Sequence, residues 1–121
     1  MMNIEELRDY CISKPAVTES FPFDESTLVF KVAGKMFLLT DLEDAFSMNI
    51  KNTPQKVIEL QEQYPSVLPG YHMNKLHWIT VMIDGTVTDK LLKQWIDESY
   101  ALIVSGFTRK EKANYAELTG N

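Results

Sequence analysis

The chain has 121 residues, of which 45% are hydrophobic and 24% charged, and its net charge at pH 7 is −5. This length suits one domain with its own core, so residues 1–121 are predicted to form a single domain. The composition excludes a disordered chain, and no stretch reaches the roughly 20 apolar residues that cross a bilayer. The acidic start, Met1 to Glu6, lacks the features of a secretory signal, so we expect a soluble, cytoplasmic protein.

The negative charge bears on which partners the chain can bind. Neutralisation of phosphates by Lys and Arg dominates affinity for nucleic acids, so a net charge of −5 counts against a large polyanionic partner. The acidic excess lies in residues 1–44, whereas residues 45–121 carry eight charges of each sign. A local basic surface in the second part is therefore compatible with the sequence.

A helix is predicted near the start of the chain. Asn3 followed by Glu6 forms a capping box, and the stripe of Ile4, Leu7 and Cys11 continues until Pro15 stops the helix. Cys11 is the only cysteine, which excludes an intramolecular disulfide, and its place on this stripe predicts a packed side chain rather than a reactive thiol.

Residues 16–26 are interpreted as a connecting loop, with Phe21 and Phe23 expected to pin it to the core. Residues 27–33 and 35–42 then flank Gly34 and predict two adjacent strands joined by a tight turn. A third strand is indicated by clean alternation, which gives it one wet face. Its apolar positions are Phe46, Met48 and Ile50, and its polar positions are Ser47, Asn49 and Lys51.

The second half predicts three helices and one strand. Thr53 and Pro54 begin a helix that runs to about residue 64, and residues 65–70 are interpreted as a turn-rich connection. Residues 77–83 predict a fourth strand. Thr88 caps a long helix that ends at Gly106, and Thr108 opens a last one. The order predicts an α+β fold with an antiparallel or mixed sheet packed by helices.

The densest group of chemically capable side chains lies in residues 69–78, which contain both histidines of the chain. As a binding edge, Lys75 pairs with an anion, Asn74 and His72 form hydrogen bonds, and Tyr71 or Trp78 offers a flat ring. The alternative is an ordinary strand entry. In that case Trp78 and Tyr71 are core anchors, and the polar side chains bond the neighbouring backbone.

Catalytic and metal sites are not indicated. His72 and His77 are five residues apart, a spacing that places them on opposite faces of a strand and misses the helical pairing of metal ligands. The acidic runs at 23–25 and 41–44 lack the spacing of a calcium loop, and no nucleophile elbow, phosphate loop or dinucleotide motif is present. We therefore expect neither an enzyme nor a bound cofactor or metal.

The stretch Gln63 to Val81, with Pro69-Gly70-Tyr71-His72-Met73-Asn74-Lys75-Leu76-His77-Trp78 at its centre, resembles the MmcQ/YjbR family of small bacterial proteins. The resemblance extends upstream through residues 21–24 and 27–32 and downstream through residues 84–85 and 96–100. It implies a CyaY-like α+β fold, described as a double-wing DNA-binding module, without catalytic activity. The chain departs from the family pattern at Ile79, where Asn is common, and has fewer basic residues.

The first functional hypothesis is therefore a non-enzymatic protein that binds double-stranded DNA. Its predicted contacts are Tyr71, His72, Asn74, Lys75, His77 and Trp78, helped by Lys51 and Arg109. The second hypothesis is a module that binds a protein or small-molecule partner through the same aromatic edge and has no nucleic-acid role.

Overall fold

Four helices and six strands make up residues 1–120, the part of the chain that the computed structural model describes. The helices are α1 (Ile4–Ile12), α2 (Pro54–Gln63), α3 (Asp89–Ser105) and α4 (Arg109–Leu118). The strands are β1 (Val17–Ser20), β2 (Thr27–Val32), β3 (Lys35–Asp41), β4 (Ser47–Lys51), β5 (Val67–Pro69) and β6 (Trp78–Met82).

The strands form one sheet in the order β1-β2-β3-β4-β6-β5, and every neighbouring pair is antiparallel. The predicted α+β class is confirmed, with an antiparallel rather than a mixed sheet. Helix α3 lies across β2, β3 and β4, while α1 packs on β1 and α2 on β5 and β6. We call the side that carries these helices the helix-covered face and the opposite side the helix-free face.

The main core lies between the helix-covered face and the helices. A cross-strand row of four fully buried side chains forms its centre, because residues at matching positions of antiparallel strands lie side by side. The row consists of Phe30, Leu38, Ile50 and Ile79. Burial also raises the pKa of Cys11 to about 12, so the expectation of a packed and unreactive thiol is confirmed.

Each of the four helices begins directly after the N-cap residue that the sequence predicts. In each case a side-chain oxygen accepts the backbone N–H three residues later, which satisfies a donor that has no partner within the helix. The caps are Asn3, Thr53, Thr88 and Thr108.

A bulge in β3 is joined to α3 and β4 by one buried hydroxyl. Phe30 pairs with Leu38 but Lys31 pairs with Met36, so Phe37 is an extra residue in β3. The Ser99 hydroxyl donates to the Phe37 carbonyl at 2.7 Å and accepts from the Lys51 amide at 2.9 Å. Ser99 therefore satisfies two backbone groups beside the bulge.

The prediction that residues 16–26 form a connecting loop was partly wrong. Val17–Ser20 form β1, and Val17 pairs with Val32 at the edge of the sheet. This strand is short and three of its four residues are polar, so it carries little of the alternation that marks a strand. The expectation that Phe21 and Phe23 pin the loop to the core was also wrong, because their exposed fractions are 48% and 65%.

The prediction that residues 65–70 form a turn-rich connection was wrong because it also missed a strand. Its middle residues, Val67–Pro69, form the three-residue edge strand β5. Proline is tolerated there because an edge strand leaves one side without hydrogen-bonded neighbours.

An ion pair ties α1 to the edge of the sheet. The Arg8 guanidinium donates to both carboxylate oxygens of Glu19 in β1. No helix within residues 1–120 is both long and apolar enough to cross a membrane.

Candidate ligand-binding groove

The helix-free face carries residues that alternate with those of the main core. A second cross-strand row runs over it from one side of the sheet to the other, through five of the six strands. The row consists of Val29, Leu39, Asn49, Thr80 and Leu68. Val29 and Leu39 belong to a small separate cluster, and Thr80 lies under a loop.

The small cluster is formed by Val29, Leu39 and Trp78, with Met36 and Met73 packed against it. Trp78 is only 8% exposed. Its ring therefore supports the residues above it and offers little surface to a ligand.

The segment between β5 and β6, residues 70–77, lies over this cluster, and we call it the site loop. A β-carbon on Gly70 would stand 2.7 Å from the carbonyl oxygen of Trp78, so only glycine permits this approach. His72 has a positive φ of 60°. This conformation is uncommon outside glycine and turns the chain sharply beside Tyr71, whose ring centre lies 4.0 Å from that of His72.

A chain of hydrogen bonds fixes the site loop to the sheet. The Tyr71 amide donates to the Thr80 hydroxyl at 3.0 Å, and that hydroxyl donates to Oδ1 of Asn49 at 2.5 Å. In this arrangement the Asn49 amide turns its oxygen towards the Thr80 hydroxyl and its Nδ2 away from it. Among the described residues Nδ2 of Asn49 is left without a partner, so it can donate to a ligand.

Two hollows meet at Asp41, Asn49 and Tyr71 and form one groove across the helix-free face. The larger has a volume of about 470 Å³ and lies between Phe23 and the site loop. The smaller, about 310 Å³, extends towards Leu68. Tyr71 and Phe23 are 69% and 65% exposed, so two large rings stand at the groove with most of their surface in water.

Three carboxylates border the groove, with Asp24 and Asp41 at the larger hollow and Asp41 and Asp44 at the smaller. Each accepts a backbone N–H of its own loop. The backbone amides of Thr27 and Ser26 lower the pKa of Asp24, which keeps this carboxylate ionised at neutral pH.

The sequence match agrees with this architecture. Residues 12–102, which include the groove, match the family model described as YjbR. The chain belongs to the YjbR family. The resemblance seen in residues 63–81 is thereby confirmed.

Two curated relatives of this YjbR-family chain come from Escherichia coli. The uncharacterised protein YbdF of strain O157:H7 is 37% identical over 109 residues, which cover 89% of each chain. The uncharacterised protein YjbR of strain K12 is 32% identical over 105 residues, covering 86% of this chain and 89% of the relative.

Solved structures share the fold. A Deinococcus radiodurans protein with a DUF419 domain superposes with a TM-score of 0.89 at 40% identity, covering 96% of this chain and 89% of its own. A Pseudomonas syringae protein superposes with a TM-score of 0.74 at 27% identity, covering 84% of this chain and 98% of its own.

The structure distributes the residues predicted as contacts over different environments. Tyr71 and His72 lie at the groove, and Lys75 is exposed on the site loop. Asn74 is exposed too, but its Oδ1 accepts the Leu76 amide and stabilises the loop itself. His77 is half-buried where the loop enters β6.

The two remaining predicted contacts, Lys51 and Arg109, lie on opposite sides of the sheet. Lys51 pairs with Trp78 at the end of β4, on the helix-free face. Arg109 begins α4, which packs through Tyr115 against Tyr100 of α3. Arg109 therefore belongs to the helix-covered side and does not join the site loop.

Sequence reasoning missed several groove residues, among them Phe23, Asp41 and Thr80. The alternation in β4 placed Asn49 on the solvent-facing side of the strand, and this was the signal in the sequence that it could reach a groove. Phe23 carried no such signal, since the loop preceding β2 reaches the groove only through the folded sheet. Within residues 1–120, no three His, Cys, Asp or Glu side chains are grouped to hold a metal ion.

Proposed function

We propose that this YjbR-family protein is a non-enzymatic binding protein and that its ligand occupies the groove on the helix-free face. The observation that carries the proposal is the exposure of Phe23 and Tyr71, at 65% and 69%, in the same hollow that the Asn49 amide lines. Folding gains free energy by burying aromatic rings, so large rings left in water at a groove are typical of recognition surfaces.

The polar groups around the groove support binding rather than proton transfer. The hydroxyl of Thr80 connects the site loop to Asn49, and the carboxylate of Asp24 closes its own turn. These groups hold the shape of the groove, as a preformed binding site requires.

A stability measurement tests the proposal before any ligand is known. We expect Phe23→Ser and Tyr71→Ser to change the free energy of unfolding by no more than about 0.5 kcal/mol, since both rings are mostly exposed. Phe30→Ser is the matched control, because this fully buried ring should cost more than about 3 kcal/mol. A loss above about 2 kcal/mol for either exposed ring would mean that it serves folding, and the proposal would fail.

Double-stranded DNA is a second candidate ligand, and three lysines favour it. Lys31 and Lys51 alternate with main-core residues and so face the helix-free side, and Lys75 lies in the adjoining site loop. Lysines in such an arrangement can contact successive phosphates. The carboxylates of Asp24, Asp41 and Asp44 around the groove oppose this, because they would repel the phosphate backbone.

An amide chemical-shift titration with a short DNA duplex at low and physiological salt tests the DNA candidate. If duplex binds, shifts should appear at Tyr71 and Lys75 and fade with salt, and Lys75→Ala should reduce the salt dependence by about one phosphate contact. Arg109→Ala is the matched control, since it removes a positive charge on the helix-covered side. Shifts that persist unchanged at high salt would exclude a phosphate-driven mode.

A further inference from the structure

The charges around the groove are arranged in a way that selects among ligands. Asp41 borders both hollows, Asp24 borders only the larger and Asp44 only the smaller, so each half of the groove has two carboxylates. Phe23 lines the larger half and Tyr71 lines both halves, and most of the surface of each ring is exposed. Carboxylates beside exposed aromatic rings bind ammonium and guanidinium groups, because both supply negative potential.

The groove is also the right length for an extended chain. Its smaller hollow alone reaches from β3 at Asp41 to β5 at Leu68, two strands that are three strand spacings apart in the sheet, or about 14 Å. About four residues of extended polypeptide cover this distance, with alternate side chains pointing towards the same surface. Two basic side chains at alternate positions would then place one cation in each half.

The free amide of Asn49 supplies the remaining contact. It lies where the two hollows meet, and its orientation leaves Nδ2 as a donor. The backbone carbonyls of an extended peptide are matching acceptors.

From this charge complementarity we propose that the groove binds an extended basic segment of another protein, with Lys or Arg side chains at alternate positions held by Asp24, Asp41 and Asp44. The inference rests on the proposed function and names the ligand class for the same site.

The test is an amide chemical-shift titration of the full chain with a short peptide of alternating lysine and threonine. A peptide with glutamate in place of lysine and a short DNA duplex are titrated in parallel. We expect the basic peptide alone to shift Asp41, Asn49 and Tyr71. No shifts there with the basic peptide would overturn the inference, as would larger shifts with the acidic peptide or the duplex.

Substitutions separate specific recognition from general attraction to an acidic protein. Asp41→Asn retains the oxygen that accepts the Glu43 amide but removes the charge, and we expect affinity for the basic peptide to fall about three- to tenfold. Asp9→Asn removes the same charge from α1 and should leave affinity within about twofold. Equal losses of affinity in both variants would mean that the net charge of the protein, and not the groove, drives binding, and this would overturn the inference.

The aromatic contribution is tested at Tyr71. Tyr71→Leu removes the ring face and should weaken the basic peptide about threefold, whereas Tyr71→Phe should retain binding. Loss in both variants would contradict a role for the ring face. The proposed function fails on separate evidence, the stability of the Phe23→Ser and Tyr71→Ser variants, so the two failures are distinguishable.

Discussion

Leu38 and Leu39 are neighbours in β3, yet they belong to opposite faces of the sheet. Leu38 is fully buried in the main core under the helices, whereas Leu39 is part of the small cluster against which Met36 of β3 and Met73 of the site loop pack. The helix-covered face therefore supplies most of the stability. The helix-free face has enough packing to hold its shape and leaves rings, carboxylates and an amide available to a ligand.

The largest loss of stability should come from a cavity in the main core under the helix-covered face. We expect Leu38→Ala to cost about 3–5 kcal/mol and Leu39→Ala about 2 kcal/mol, because flexible Met36 and Met73 can partly fill the smaller site. Urea unfolding followed by circular dichroism measures both. If the two variants lose the same stability, the contrast between the faces is wrong.

The next largest loss of stability is expected when the Ser99 hydroxyl beside the bulge in β3 is removed. Ser99→Ala leaves the Phe37 carbonyl and the Lys51 amide without their partner, and we expect a loss of about 1–3 kcal/mol. Ser105→Ala is the matched control, because that exposed serine on the same helix bonds only the Leu102 carbonyl. A Ser99 variant as stable as the control would mean that water or a shift of β3 satisfies both groups.

A smaller effect is expected where the site loop is tied to the helix-free face. Thr80→Val preserves the shape of the side chain but removes the hydroxyl between Tyr71 and Asn49, so the loop should loosen with a stability loss of about 1 kcal/mol. Hydrogen exchange at the Tyr71 amide should accelerate more than exchange in β2. Unchanged exchange at Tyr71 would show that Gly70 and the backbone bonds alone fix the loop.

The smallest effect should be the pH dependence of the ion pair at the sheet edge. The hydrogen bond from Arg8 lowers the pKa of Glu19 below its usual 4.5, so the pair stabilises the fold above that pH and this contribution is lost as pH falls through the folded-state pKa. Glu19→Gln should therefore unfold more easily than wild type at neutral pH, with the difference vanishing in acid. Glu25→Gln, at an exposed loop carboxylate, is the control, and a difference that persists in acid would exclude the ion pair as its cause.

The elements with strong local signals were predicted well. The four caps, the turn at Gly34 and the alternation in β4 each depend on residues close together in sequence, and all three predictions are confirmed. The edge strands β1 and β5 were missed because their pairing partners, not their own residues, make them strands. Of the residues predicted as contacts, Tyr71 and His72 line the groove, and their role in binding stays a prediction.

The sequence by itself determined the class of fold and the family, because periodicity, capping and a motif of consecutive residues are local properties. Only the tertiary structure decided that Trp78 packs in the small cluster beneath the site loop and that Arg109 lies on the helix-covered side. It also brought Phe23 and Asp41 together with Tyr71 around one groove. These residues come from separate loops and strands, which the strand order of the sheet and the hydrogen bonds of the site loop bring together. For that reason the charge of the groove follows from the order of the strands and cannot be obtained from the net charge of the chain.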